Sequence, residues 1–177
     1  MEPIKQTALK PQDIVVCLKL LQDSGRRTVL DLADALNISS GEVHGALKRA
    51  AKSRFVIFEN RTPTVIPAAF LEFILFGLKY AFPATLGTVV VGMPTGISAF
   101  EELSRNFAPT DALPYVWPLA EGRAKGIALA PLFPSVPAAA SKDRLLYKGL
   151  ALIDAMREGA AREREFATQE LRMMLAR

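Results

Sequence analysis

The side chains here that could act on a partner are mostly cations. Lys48, Arg49, Lys52 and Arg54 fall close together in sequence, and clustered fixed positive charge is the chemistry that neutralises phosphate. The same run can also be a solvated helix face. Other chemistries lack parts. His44 is the only histidine, which removes histidine triads and multi-histidine metal sites. Cys17 is the only cysteine, so no disulfide framework or multi-cysteine metal site forms within the chain. Beside an apolar stripe it reads as a small core residue. The adjacent pair Glu101 and Glu102 does not converge on one helix face and reads as surface charge. The stretch GTVVVGMPTG, residues 87–96, has the outline of a phosphate cradle. It lacks the Gly-Lys-Ser/Thr ending, and Pro94 deletes an N–H donor. No cofactor is expected, and nothing in these residues asks for an enzyme.

The elements that must position the cations begin with LKPQDIVVCLKLLQ, residues 9–22. Pro11 suits a first helical turn, and Ile14, Val15, Leu18 and Leu21 recur at helical spacing. Asp23-Ser-Gly stops that helix. Arg26 and Arg27 then stand either near phosphates or in water. The following stretch, TVLDLADALNISSGEVHGALKRAAKSR, residues 28–54, describes two short helices joined by a tight turn. The first is expected to bury Leu30, Leu32, Ala33 and Leu36. Asn37 tolerates a left-handed backbone at the turn, and Ile38 plugs it. Ser39 with Glu42 makes an S-x-x-E capping box, after which Val43, Ala46 and Leu47 face inward. Phe55–Phe58 is strand-like, Glu59–Pro63 has turn chemistry, and Thr64–Ile66 returns as a second strand.

In this pattern of small residue, turn residue, apolar plugs and following hairpin, residues 9–66 resemble the winged helix-turn-helix regulators of the MarR-like family. The resemblance implies that the third helix enters the major groove. Ser39, Ser40, Gly41, His44, Gly45 and Lys48 would then lie toward base edges. Arg49, Lys52 and Arg54 would clamp phosphates, with Arg61 at the tip of the wing. His44 is either a base contact or an ordinary exposed histidine. Arg61 is either a groove contact or an exposed turn residue. Gly41 and Gly45 offer no side-chain readout, so recognition would lean on the wing, dimer spacing and DNA shape.

Pro67 opens PAAFLEFILFGLKYAF, a helix expected to run to about Ala81. It is apolar nearly all round and so should be buried on several faces. Phe73, Phe76 and Tyr80 line one side, Phe70, Ile74 and Gly77 another. It serves either as a linker and dimer-building helix, 67–82, or as plain core. Eight of the 12 prolines lie between Pro83 and Pro137, which excludes long helices there. Thr88–Val91 reads as a short buried strand, Ser98–Arg105 as a short helix. Tyr115–Leu119 and Gly126–Leu129 read as a hairpin around Glu121-Gly122. SKDRLLYKGLALIDAMREG reads as a helix capped by Ser141 and ended by Gly159. A last helix, 160–176, buries Ala167, Leu171, Met174 and Leu175.

The expected fold class is therefore α+β and mainly helical. A winged helix-turn-helix, 1–66, precedes a proline-rich C-terminal domain, 83–177, that ends in two helices. The chain has 177 residues, 50% of them hydrophobic, and a net charge of +4, enough for a sizeable core. Residues 1–62 hold ten Lys/Arg against seven Asp/Glu, residues 63–140 four against five, and residues 141–177 eight against six. The first excess coincides with the cationic helix. The N-terminus lacks a signal-peptide layout, and the longest apolar run is broken by Pro67, Glu72 and Lys79, so a cytoplasmic protein without a membrane span is expected. The functional expectation is sequence-specific binding of double-stranded DNA by a homodimeric transcriptional regulator, a repressor. The alternative is an interaction protein, such as a DNA-binding antitoxin whose residues 68–177 grip a partner protein. A third possibility is ligand sensing around Phe73, Tyr80 and Trp117, against core packing of those rings.

Overall fold

Pro11 supplies the preset φ of a first helical turn, and the computed structural model of the chain, which describes residues 6–23 and 27–175, starts α1 there, Pro11–Gln22. Eight consecutive residues of α1, Asp13–Leu20, are buried, so the helix is wrapped on most sides. Two of them, Asp13 and Lys19, are charged and need partners. α2 spans Val29–Leu36 and α3 Ser40–Lys52, both packed on α1. Arg26 lies outside the described residues. Arg27 pairs with Asp23 at 2.9 Å.

Leu32, Ala33 and Leu36 are buried as expected, but Leu30 is 67% exposed. It stands four residues before Asp34, and at 3.6 residues per turn that places it on the charged side of α2. After α3, β1 (Val56–Glu59) and β2 (Thr62–Val65) pair antiparallel, with Val56 opposite Val65 and Glu59 opposite Thr62. The loop is thus the two residues Asn60 and Arg61, and Pro63, expected in the turn, sits in the strand opposite Phe58. Both loop residues have positive φ, 48° and 67°, the backbone of a type I′ hairpin turn.

The expected long helix is divided into α4 (Pro67–Phe76) and α5 (Leu78–Ala81) at Gly77. A Cβ on Gly77 would lie 2.8 Å from the Phe73 ring, so its close neighbour is that ring and not another backbone. Phe70 and Ile74 are buried, whereas Phe76 and Tyr80 are 65% and 75% exposed. Burial on several faces is therefore not met within one copy of the chain. Phe73 packs on Phe55 and Phe82.

β3 (Leu86–Pro94) pairs antiparallel with both β4 (Tyr115–Pro118) and β5 (Ala124–Leu129). β4 and β5 consequently run parallel, Tyr115 opposite Ile127, and close the three strands on one another. This overturns the expected hairpin of β4 with β5. The link between them passes close to β3 near its C-terminal end, where Gly122 lies against the Gly92 backbone with no room for a Cβ. β3 is also not a buried strand: Leu86, Val89 and Val91 are 44%, 45% and 50% exposed, because its outward face carries no helix.

A 3-10 turn, Gly96–Ala99, and α6 (Glu101–Ser104) follow β3, and α7 (Val136–Ala140) follows β5. α8 runs Arg144–Glu158 and ends at Gly159 as expected. Its N-cap is Asp143, whose carboxylate accepts the Leu146 N–H at 3.0 Å. Ser141 instead ends α7 and donates to the Ala138 carbonyl. α9, Ala161–Leu175, buries Ala167, Leu171 and Leu175. The class is thus α+β and mainly helical. No helix among the described residues is long and apolar enough to cross a membrane.

One core joins the early and late elements. α8 lies along α1, with Gly149 against the Leu18 side chain. The Lys19 ammonium bridges Asp23 at 3.0 Å and Asp143 at 2.6 Å, and the Gln22 amide donates to the Leu145 carbonyl. Trp117, fully buried, donates to Asp154 of α8 at 2.7 Å and packs 5.7 Å from the Tyr147 ring. Trp117, Phe73 and Tyr80 therefore serve three different places rather than one aromatic site.

Candidate nucleic-acid interface

The presented surface of α3 follows from how its start is built. The Ser39 hydroxyl accepts the Glu42 N–H at 3.1 Å, and the Glu42 carboxylate accepts the Ser39 N–H at 3.2 Å. Two of the four unpaired N–H groups of a helix start are so satisfied. α2 has the same device in Thr28 and Asp31, at 3.1 and 2.9 Å, and the Thr28 N–H and then its hydroxyl, both donating to the Asp31 carboxylate, hold that carboxyl below its ordinary value. A T-x-x-D pattern was the available signal for it. Between the helices Asn37 takes the left-handed conformation, φ 51° and ψ 47°, and the Ile38 N–H closes back on the Ala33 carbonyl.

Val43, Ala46, Leu47 and Ala50 are all buried, which fixes the rotation of α3. At about 100° per residue, Ser40, His44, Lys48, Gly41 and Lys52 then share an outward arc of roughly 120°. All five are exposed, as is Ser39 at the cap. This stripe carries hydroxyl, imidazole and ammonium groups. It can donate to base or phosphate acceptors along one groove-sized line. Lys52 donates to the Thr7 hydroxyl at 2.9 Å near solvent.

Arg49 does something else. Its Nε and Nη2 donate to the two carboxylate oxygens of Asp13 at 2.9 and 2.6 Å. Asp13 is wholly buried and also accepts the Lys10 N–H at 2.9 Å. The bidentate bond raises the Arg49 pKa further, against the opposing effect of burial. The guanidinium is thereby bolted between α3 and α1, and the expected phosphate clamp at Arg49 is a structural tie. Gly45 belongs to the same arrangement: a Cβ there would stand 3.1 Å from Arg49 Nη1. Glycine leaves the space through which Arg49 folds back. Gly41 has no such neighbour, the nearest atom being the Ser39 hydroxyl at 3.9 Å.

Beyond α3, Arg54 is exposed with φ 64°, and the next N–H, of Phe55, returns to the Ala50 carbonyl at 2.9 Å. This left-handed residue turns the chain into β1. Arg61 occupies the second position of the hairpin turn and is exposed. Ile57 and Phe58 on β1 are 42% and 47% exposed, which sequence reading missed because the strand was not given an outward face. No family model matches the chain, and comparisons with curated proteins and with solved structures likewise give no match.

Proposed function

We propose that the chain is a winged helix-turn-helix regulator that binds double-stranded DNA through α3, acts as a homodimer and represses transcription. The observation that carries this reading is the exposed Ser40–His44–Lys48 stripe on a helix rigidly held by its cap, its turn and the Asp13–Arg49 tie. The β1–β2 hairpin directly follows, with Arg61 at its tip, as a wing would. Lys48, Lys52, Arg54 and Arg61 supply phosphate contacts, and Ser40 and His44 supply base contacts. The exposed Phe76 and Tyr80 beside α4 and α5 favour a second copy as the cover for that surface.

The test is fluorescence anisotropy of the full chain on duplex DNA from its own upstream region, across a salt series. Affinity falls linearly on a log–log plot, and Lys48→Ala lowers the slope by about 1. Salt-independent binding, or none, overturns the reading. Light scattering of the free protein tests the dimer. A monomeric mass would assign the Phe76–Tyr80 surface to a foreign protein, as in an antitoxin that grips its partner.

A further inference from the structure

A cavity of about 450 Å³ opens between the 3-10 turn after β3, the loop before β4 and the corner joining α8 to α9. Its volume falls within the range of small-molecule sites, roughly 300–1,000 Å³. Ile97, Leu113, Ile127 and Leu129 supply apolar wall. Thr110, Ala112 and Leu113 are exposed at its mouth, so a solute can enter from solvent.

The charged groups of the lining are all acidic: Asp154, Glu158 and Glu163, with no lysine, arginine or histidine among them. Asp154 at the floor is already satisfied. It accepts from Thr95 at 2.8 Å and Trp117 at 2.7 Å, and the Arg157 guanidinium offsets its charge at 2.7 Å. Glu158 and Glu163 have no such counter-ion among the described residues. Glu163 accepts the Ala160 N–H at 2.8 Å, which anchors it without neutralising it. Tyr115, Glu158 and Glu163 all line the cavity, so both carboxylates border the same space. Burial first, then the charges of Glu158 and Glu163 and a hydrogen bond to Glu158, push the Tyr115 phenol pKa up. Among the described residues no three or more acidic, histidine or cysteine side chains converge to hold a metal ion. The cation that suits the site carries its charge on an apolar body.

The geometry points to this cavity as a binding site for a small organic cation, an amine of one-ring size, with the hydrocarbon against Ile97, Ile127 and Leu129 and the ammonium between Glu158 and Glu163. The inference does not rest on DNA binding, and its test contains no DNA.

The experiment is calorimetric titration of the full chain with three probes of one shape: phenethylamine, phenylethanol and phenylacetate. Phenethylamine binds one to one, phenylethanol about tenfold more weakly, and phenylacetate not at all, since a charged hydrogen bond is lost and then a repulsion added. Glu158→Gln abolishes the preference for the amine over the alcohol. Ser98→Trp, at an exposed position of the lining, blocks all three while circular dichroism stays unchanged. Equal affinity for amine and alcohol, unaltered amine binding in either variant, or no heat from any probe at millimolar concentration overturns the proposal.

Discussion

Arg49→Met separates the structural tie from a DNA contact. The substitution leaves the wholly buried Asp13 without its one side-chain partner among the described residues, retaining the Lys10 N–H. Breaking a buried pair from one side costs about 3–5 kcal/mol. The Arg49 side chain keeps 19% of its surface in water, so solvent can partly replace it, and the lower end, about 3 kcal/mol, is expected. For a chain of this size that lowers Tm by roughly 6–12 °C. Asp13→Asn with Arg49→Met recovers much of the loss, because no charge is then stranded. Urea unfolding by circular dichroism measures the wild type and both variants. DNA binding measured well below the lowered Tm should keep the wild-type salt slope, in contrast to Lys48→Ala. A stability loss under about 1 kcal/mol combined with a reduced salt slope would refute the reasoning and return Arg49 to the phosphate contacts.

Three further outcomes follow from the same structure. Burial raises the Tyr147 phenol from 10.0 to about 12, with its hydroxyl donating to the Pro94 carbonyl at 2.6 Å. A raised folded pKa means stability is intact below pH 10 and lost as pH rises toward about 12, which melting curves at alkaline pH record, with Tyr147→Phe flattening the fall. Burial alone would raise Asp143, but the Leu146 N–H and the Lys19 ammonium outweigh it and hold the carboxyl below its ordinary 3.8; its contribution is present above that value and fades as pH drops below it. Gly41→Ala, with open space at its Cβ, stabilises α3 by about 0.5 kcal/mol, whereas Gly45→Ala gains less because Arg49 must give way. Paired denaturation curves of the two variants decide this, and an equal gain at both positions would contradict it.

The parts of the molecule that were legible in sequence are those set within one or two helical turns. Ser39 and Glu42 are three residues apart, Asn37 needs only its own backbone, and the inward faces of α3 and α9 follow from spacing. What was illegible depends on residues far apart. Asp13 and Arg49 are 36 residues apart, and nothing local distinguishes Arg49 from Lys48. Asp13 at the third position of α1 also reads in sequence as an ordinary first-turn acid, so its need for a cation shows only once its burial is known. The turn before β5 looked like that of a hairpin because Glu121-Gly122 is turn chemistry. That the chain instead lays β5 parallel to β4 was decided by Gly92 and Gly122, which permit two backbones to touch. Ser141 was the expected cap, but Asp143, two residues on, takes the role and is held there by the Lys19 bridge from α1. The organic-cation cavity draws its walls from the 3-10 turn, the loop before β4, β5, α8 and α9, and no single stretch carries its signature.

The shared core of α1 and α8 also bears on portability. A fragment ending at residue 66 would uncover Leu18, which is fully buried, and strip Lys19 of Asp143. A fragment beginning at 68 would lose the surface on which α8 lies. The elements proposed to face DNA are therefore not a cassette that can be grafted onto another protein, nor can the C-terminal part serve as bait in isolation. Any transplant of α1 into another protein must carry α8 with it, because each supplies part of the other's buried surface.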